Sequence, residues 1–347
     1  MKQQRTLAAP LVLTAGIVSL GLLRIAAAAP SSAILPAADA EVRANWRSFM
    51  AQTPSAEQGC FHASYPSYYW ERVACAAAKP LAHPVRRHPK AGAPLDVGNG
   101  NDYAASATGL ISQALGWFPS VTGVSSEQSV GSAAFGGGGI LGPNEYTLQL
   151  NTNFTGSTAA CRGHAGCTVW QQFIYATDYQ FQGQGAVFFQ YWLIGFGNGA
   201  CPAGFMSAGG GDCFGNSAIA AAPDVPITAL GQMSLSASAV SGGNDTVVFT
   251  AEGEAFSQSA SDRVLDIGQV WQQAEFNIIG DAGGSEAQFN PGSTVVVQID
   301  LADGSTQAPQ CLSNAGTTGE TNNLNLGTCI TGLTQNRNPA IQFTESN

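Results

Sequence analysis

The chain reads as an all-β protein, an antiparallel β-sandwich, on three observations. Apolar residues come in short stretches with strand alternation, Gly, Asn and Ser punctuate them, and from Val97 onward no long segment keeps helical periodicity. The 42 glycines among 347 residues suit a fold with many turns. A body of about 250 residues can form one all-β domain with a large core.

The elements follow in order. Lys2 and Arg5, the apolar run 7–23 and the small-residue stretch AAAAP form a secretory signal peptide over residues 1–29, so the protein is expected to be secreted. Val42, Trp46, Phe49 and Met50 fall at helical spacing within 39–52 and predict a short amphipathic helix. Residues 30–94 are expected to be a prosegment or N-terminal extension ending in the basic, Pro-rich linker LAHPVRRHPKAGAP, with removal near Arg86 and Arg87. The sandwich domain occupies 95–347, with strands expected at 146–154, 169–175, 187–196, 246–251, 270–279 and 294–301 and a turn at Asp303 and Gly304. No internal repeat is present.

Eight cysteines fall as sequential neighbours: Cys60 and Cys75, Cys161 and Cys167, Cys201 and Cys213, Cys311 and Cys329. In an exported chain an even count favours disulfides over metal ligands, and neighbour pairing is the simplest of many connectivities.

From Ala91 to the end there are 19 acidic residues against three arginines, whereas residues 30–90 carry seven bases and four acids. Such an acidic body is a poor partner for nucleic acid. No segment after the leader has the ~20 apolar residues of a membrane helix, so no membrane partner is expected and the chain is expected to act as a monomer. Acid unfolding is driven partly by positive charges left to repel once carboxylates are protonated, and here few exist. The composition therefore suits low pH.

Elimination narrows the chemistry. The body contains one histidine, His164, in the Cys161 to Cys167 loop, so neither a His cluster for zinc nor a Ser-His-Asp arrangement is favoured. The runs GGGG and GGG lack the Lys and Ser/Thr of a phosphate loop and are expected to be flexible loops. The acidic turns GGNDT and GDAGG have no EF-hand spacing. No metal or cofactor is expected. Carboxylate and amide chemistry remains, centred on VWQQAEFNIIG, where one carboxylate, Glu275, interrupts an apolar strand. Burying it ionised would cost several kcal/mol unless it is paired, so it is protonated, compensated or facing a cleft. Strand alternation predicts Trp271, Gln273 and Glu275 on one face, Trp170 with Gln172 on one face of CTVWQQFIY and Gln171 on the other, and Gln190 with Trp192 on one face of VFFQYWLIGF. Together these would line an aromatic and amide groove with one carboxylate.

The segments QQAEF followed by AQFNPGSTVVVQI, and CTVWQQF followed by FFQYW, resemble the Ala-Glu-aromatic and glutamine strands of the fungal glutamic peptidases, the eqolisins. FFQYW followed by CPAGF is similar to neprosin-type glutamic peptidases. The resemblance covers about residues 145–299 and implies a concanavalin-like sandwich (jelly roll) made with a prosegment. It also implies a secreted, acid-active endopeptidase with a polypeptide substrate. Glu275 would activate water, Gln171 or Gln172 would stabilise the oxyanion, and Trp170, Gln190, Trp192, Trp271 and Gln273 would line the groove. CTVWQQ has no carboxylate, so a Gln plus Glu arrangement is implied here rather than a two-glutamate one. Two other readings stay open. One is a carbohydrate-binding or carbohydrate-active sandwich with a polysaccharide substrate, in which Glu252 or Glu254 pairs with Glu275. The other is a non-enzymatic secreted adhesin or coat protein.

Overall fold

The computed structural model describes residues 37–85, 96–134, 136–313 and 316–347. The expected signal peptide and the Arg86–Arg87 processing site lie outside the described residues. The body is the expected all-β antiparallel sandwich.

The first sheet runs, edge to edge, through Glu71–Val73, Gly59–Ser64, Glu254–Ser261, Asn244–Ala251, Met233–Ala239, Gln113–Thr122, Thr294–Ala302, Pro339–Ser346 and Asn325–Leu333. The second runs through Met206–Gly209, Asp212–Asn216, Gln184–Ile194, Thr168–Phe181, Thr147–Thr152, Gln273–Ile279, Tyr103–Ser106 and Gln310–Ser313, with Ala220–Pro223 also on Gln184–Ile194. Of the expected strands, 169–175, 246–251 and 294–301 lie within these elements, whereas 146–154, 187–196 and 270–279 overrun Thr147–Thr152, Gln184–Ile194 and Gln273–Ile279 at one or both ends.

Alternation sends Leu235, Val247, Phe249, Val297 and Phe343 of the first sheet into one core with Leu150, Phe173, Tyr175, Phe189 and Phe276 of the second. Each such side chain contributes roughly 1.5–3 kcal/mol of burial. Tyr175 stacks on Phe249 at 3.7 Å between ring centroids, and Phe118 meets Phe276 at 5.2 Å. Gly116 makes the second contact possible: a Cβ there would stand 2.0 Å from Phe276 Cγ.

A third, four-stranded sheet links Thr321–Asn322, Ser285–Phe289, Glu127–Gly131 and Gly142–Pro143. The GGGG loop is not free, contrary to expectation, but docks on the 281–284 turn. Gly138 N–H donates to Gly283 O at 3.1 Å and Ile140 N–H to Asp281 O at 2.7 Å. Gly139, at φ 117°, passes so close that a Cβ would lie 2.6 Å from Asp281 O.

The N-terminal region wraps both sheets. Its helix, Ala37–Gln52, buries Trp46 and Met50 against Ala63 and Ala255 of the first sheet, and Gly59–Ser64 adds a strand beside Glu254–Ser261. The chain then crosses to the second sheet as an extended strap, residues 76–85, bridged to Ile219 at Ala76 and to Thr318 at Val85. All four cysteine pairs are disulfides between the expected neighbours. Among the described residues no helix is long and apolar enough to cross a membrane.

Candidate active site

The face of the second sheet turned away from the core is polar along one line. Register places Gln190 opposite Gln172, Gln172 opposite Asn151, and Asn151 opposite Glu275. Strands lie about 4.8 Å apart, so the Gln172 and Glu275 backbones are separated by about 10 Å with one amide between them.

Glu275 is 1% exposed. Its Oε2 accepts from Asn151 Nδ2 at 2.9 Å and from Thr318 Oγ1 at 2.8 Å. Asp102, from the turn ahead of Tyr103–Ser106, also hydrogen-bonds it. Burial raises the Glu275 carboxyl above its usual range, against the pull of these donors. Asp102 is pushed further, well above the carboxylate range, by burial and then by the negative charge of Glu275. A hydrogen bond between two carboxyls needs one proton, so the Asp102–Glu275 pair shares one.

Gln172 is held at both ends. Its Nε2 donates to Gln149 Oε1 at 2.9 Å, and its Oε1 accepts from Trp192 Nε1 at 2.9 Å. An indole N–H can only donate, which fixes the amide's orientation and leaves the second Nε2 hydrogen to be donated elsewhere. Gln149 continues to Glu320, donating to Oε2 at 2.6 Å, and the same oxygen lies 3.1 Å from Nδ1 of His83 on the strap. Trp170 and Trp192 lie side by side at 6.3 Å, with Phe154 stacked on Trp170. Gln273 is half-buried beside Asp96 and the Val97 N–H.

Of the residues expected here, Glu275, Gln172, Gln190, Trp170, Trp192 and Gln273 share this face. Two do not. Gln171 points between the sheets and donates to Asp245 Oδ2 at 2.8 Å, as alternation requires of a neighbour of Gln172. Trp271 is in the inter-sheet core, stacked on Phe173 at 5.7 Å. Its strand begins only at Gln273, after a short 3-10 turn at Ile267–Gln269, so alternation cannot be extended back to it. Glu254 lies on the first sheet, bonded to His62 and Ser64, and Glu252 occupies the turn before it, so neither joins Glu275. His164 stacks on Phe196 and lies 2.7 Å from its carbonyl.

Sequence reading missed Asn151, Gln149, Asp102, Thr318, Glu320 and His83. The first two carried a signal, since TLQLNT alternates apolar and amide residues. The others lie on loops and the strap, where no periodicity marks a direction. Among the described residues no group of three or more His, Cys, Asp or Glu side chains is arranged to hold a metal ion. No family model matches the chain, and neither does any curated protein or any solved structure.

Proposed function

We propose that this chain is a secreted, acid-active endopeptidase of glutamic type, made in a self-covered form and working once the strap has left the polar face. The observation that carries this reading is the row Gln190–Gln172–Asn151–Glu275, whose Gln190 end lies beneath an extended stretch of the protein's own backbone. In the reaction a water held between Glu275 and Gln172 attacks the peptide carbonyl while Glu275 takes its proton. The spare Nε2 hydrogen of Gln172 meets the developing oxyanion, a contribution typically of about 3 kcal/mol. Glu275 then returns the proton to the leaving amine. The proton shared with Asp102, together with the Asn151 and Thr318 donors, lets the pair carry a single charge in a buried place.

The strap also controls Glu275 indirectly. Thr318 donates to the carboxylate, and it is the residue bridged by Val85, while Gly319 N–H donates to Pro84 O at 2.7 Å. Strap departure removes these two ties, while Thr318 N–H stays bonded to Gly98 O at 2.8 Å. The test is incubation of the processed protein with an unfolded protein and with polysaccharides at about pH 3 and pH 7, the range over which carboxylates titrate. Peptide-bond cleavage in acid and no glycan cleavage is expected. A strap-free, folded protein that cleaves no peptide bond at either pH would end the reading.

A further inference from the structure

The strap is bound as a peptide is bound, by its main chain and two side chains, half-buried Leu81 and fully buried His83, whose ring lies against Tyr179 and Phe188 and whose Nδ1 is 3.1 Å from Glu320 Oε2. Gln190 takes both sides of a single residue: its Nε2 donates to Leu81 O at 2.9 Å and its Oε1 accepts the His83 N–H at 2.6 Å. A side-chain amide thereby stands in for a neighbouring strand. Asn216 Nδ2 donates to Lys79 O at 2.8 Å and Leu81 O at 3.2 Å, and Tyr179 Oη donates to Lys79 O at 2.8 Å. On the other side Gly283 N–H reaches Ala82 O and Gly319 N–H reaches Pro84 O. Pro80 and Pro84 have no N–H to satisfy. The Leu81 side chain packs against an apolar cluster that includes Ile174, Tyr179, Phe188 and Ile219.

We propose that this face is a binding site for extended peptides, with Gln190 and Asn216 reading the main chain, the apolar cluster around Ile174 and Ile219 taking one large aliphatic side chain and the Tyr179–Phe188 rings with Glu320 taking the side chain two residues on, and that strap residues 79–84 fill it intramolecularly. The inference rests on the peptidase reading only in naming peptides as substrates; the binding site stands on the contacts themselves. It gives the proposed enzyme a specificity. Favoured substrates carry Leu or a similar residue at the Leu81 position, and they tolerate proline at the positions of Pro80 and Pro84, whose nitrogens donate to nothing.

A tethered strap competes at an effective concentration in the millimolar range, so the site must first be loosened to be tested. Leu81→Asp in the full chain removes the pocket contact. Hydrogen exchange at the His83 amide should then quicken by at least about 10-fold, with the melting temperature of the body retained. The peptide AAKPLAHPV added in trans should bind the loosened chain and restore slow exchange over the displaced strap's contacts on Gly283 and Gly319. The same peptide with Asp for Leu should not bind. Asn216→Ala placed in the loosened chain should weaken the trans peptide. Unchanged exchange in Leu81→Asp, or equal binding of the two peptides, or binding of neither, would overturn the proposal. Peptide binding by a protein that cleaves nothing would leave the site standing and remove the peptidase reading instead.

Discussion

Gln171 and Gln172 are adjacent in sequence and separated by the thickness of a sheet. Gln172 belongs to the polar face, so Gln172→Ala should lower acid proteolysis per folded molecule by about 100-fold, the usual cost of one oxyanion donor, and, by removing a buried amide bonded to Gln149 and Trp192, should lower the melting temperature as well. Gln171→Ala leaves Asp245 without its amide inside the core and should instead cost about 1–3 kcal/mol of stability, with activity per folded molecule unchanged. Turnover and thermal melting of both variants check the pair. This division was legible in the sequence as a choice of one from two, because alternation separates neighbours but does not say which faces the core. Trp271 shows where that reasoning stops: periodicity holds within a strand, and the strand's first residue was not marked. Asp102 and Glu320 were not legible at all, since they reach the site from loops whose path is set by tertiary contacts.

At the scale of elements, the strap, the edge strand Gly59–Ser64 and the helix Ala37–Gln52 form one wrapping unit, joined by the Cys60–Cys75 disulfide. The helix was legible because Val42, Trp46, Phe49 and Met50 fall at helical spacing, of which Trp46 and Met50 are fully buried while Val42 and Phe49 are exposed. The strap was not, for an extended Pro-rich segment reads as a linker whether it floats or docks. The disulfide closes a loop of 15 residues, a length for which chain entropy gives about 3 kcal/mol. Replacing Cys60 and Cys75 together by Ser should therefore loosen the strap selectively. Limited proteolysis should then cut within 76–85 while the sandwich stays folded. Unaltered protease resistance of that segment would show that its hydrogen bonds hold it unaided.

At the scale of the whole molecule, the sparse positive charge of the body has a counterpart in its buried carboxyls. Burial raises Glu127 to about 9, Glu145 to about 8 and Glu345 to about 8, and it holds Asp102, Asp245 and Asp281 well above the usual range. Asp303, bonded by Ser305 and Gly109, moves the other way. A carboxyl whose folded pKa lies above its unfolded value of about 4 binds more protons when folded, so stability falls as pH rises between the two values. The melting temperature should be highest below about pH 4 and decline between about pH 5 and pH 9. A melting temperature that rises from pH 3 to pH 7 would contradict this. The acidic composition gives an expectation of acid tolerance; the burial that would turn tolerance into a preference was not legible. Acid stability would give the setting for the chemistry without establishing it, and Glu275 decides that. Glu275→Gln keeps the side-chain length and can still accept through its carbonyl oxygen from Asn151 and Thr318, but it cannot take or return a proton. The measurement is turnover of an unfolded protein substrate at acid pH by the processed Glu275→Gln variant, with its melting curve beside that of the parent. A fall of at least about 100-fold in a folded protein is the predicted result, and a Glu275→Gln protein that cleaves as the parent does would contradict it.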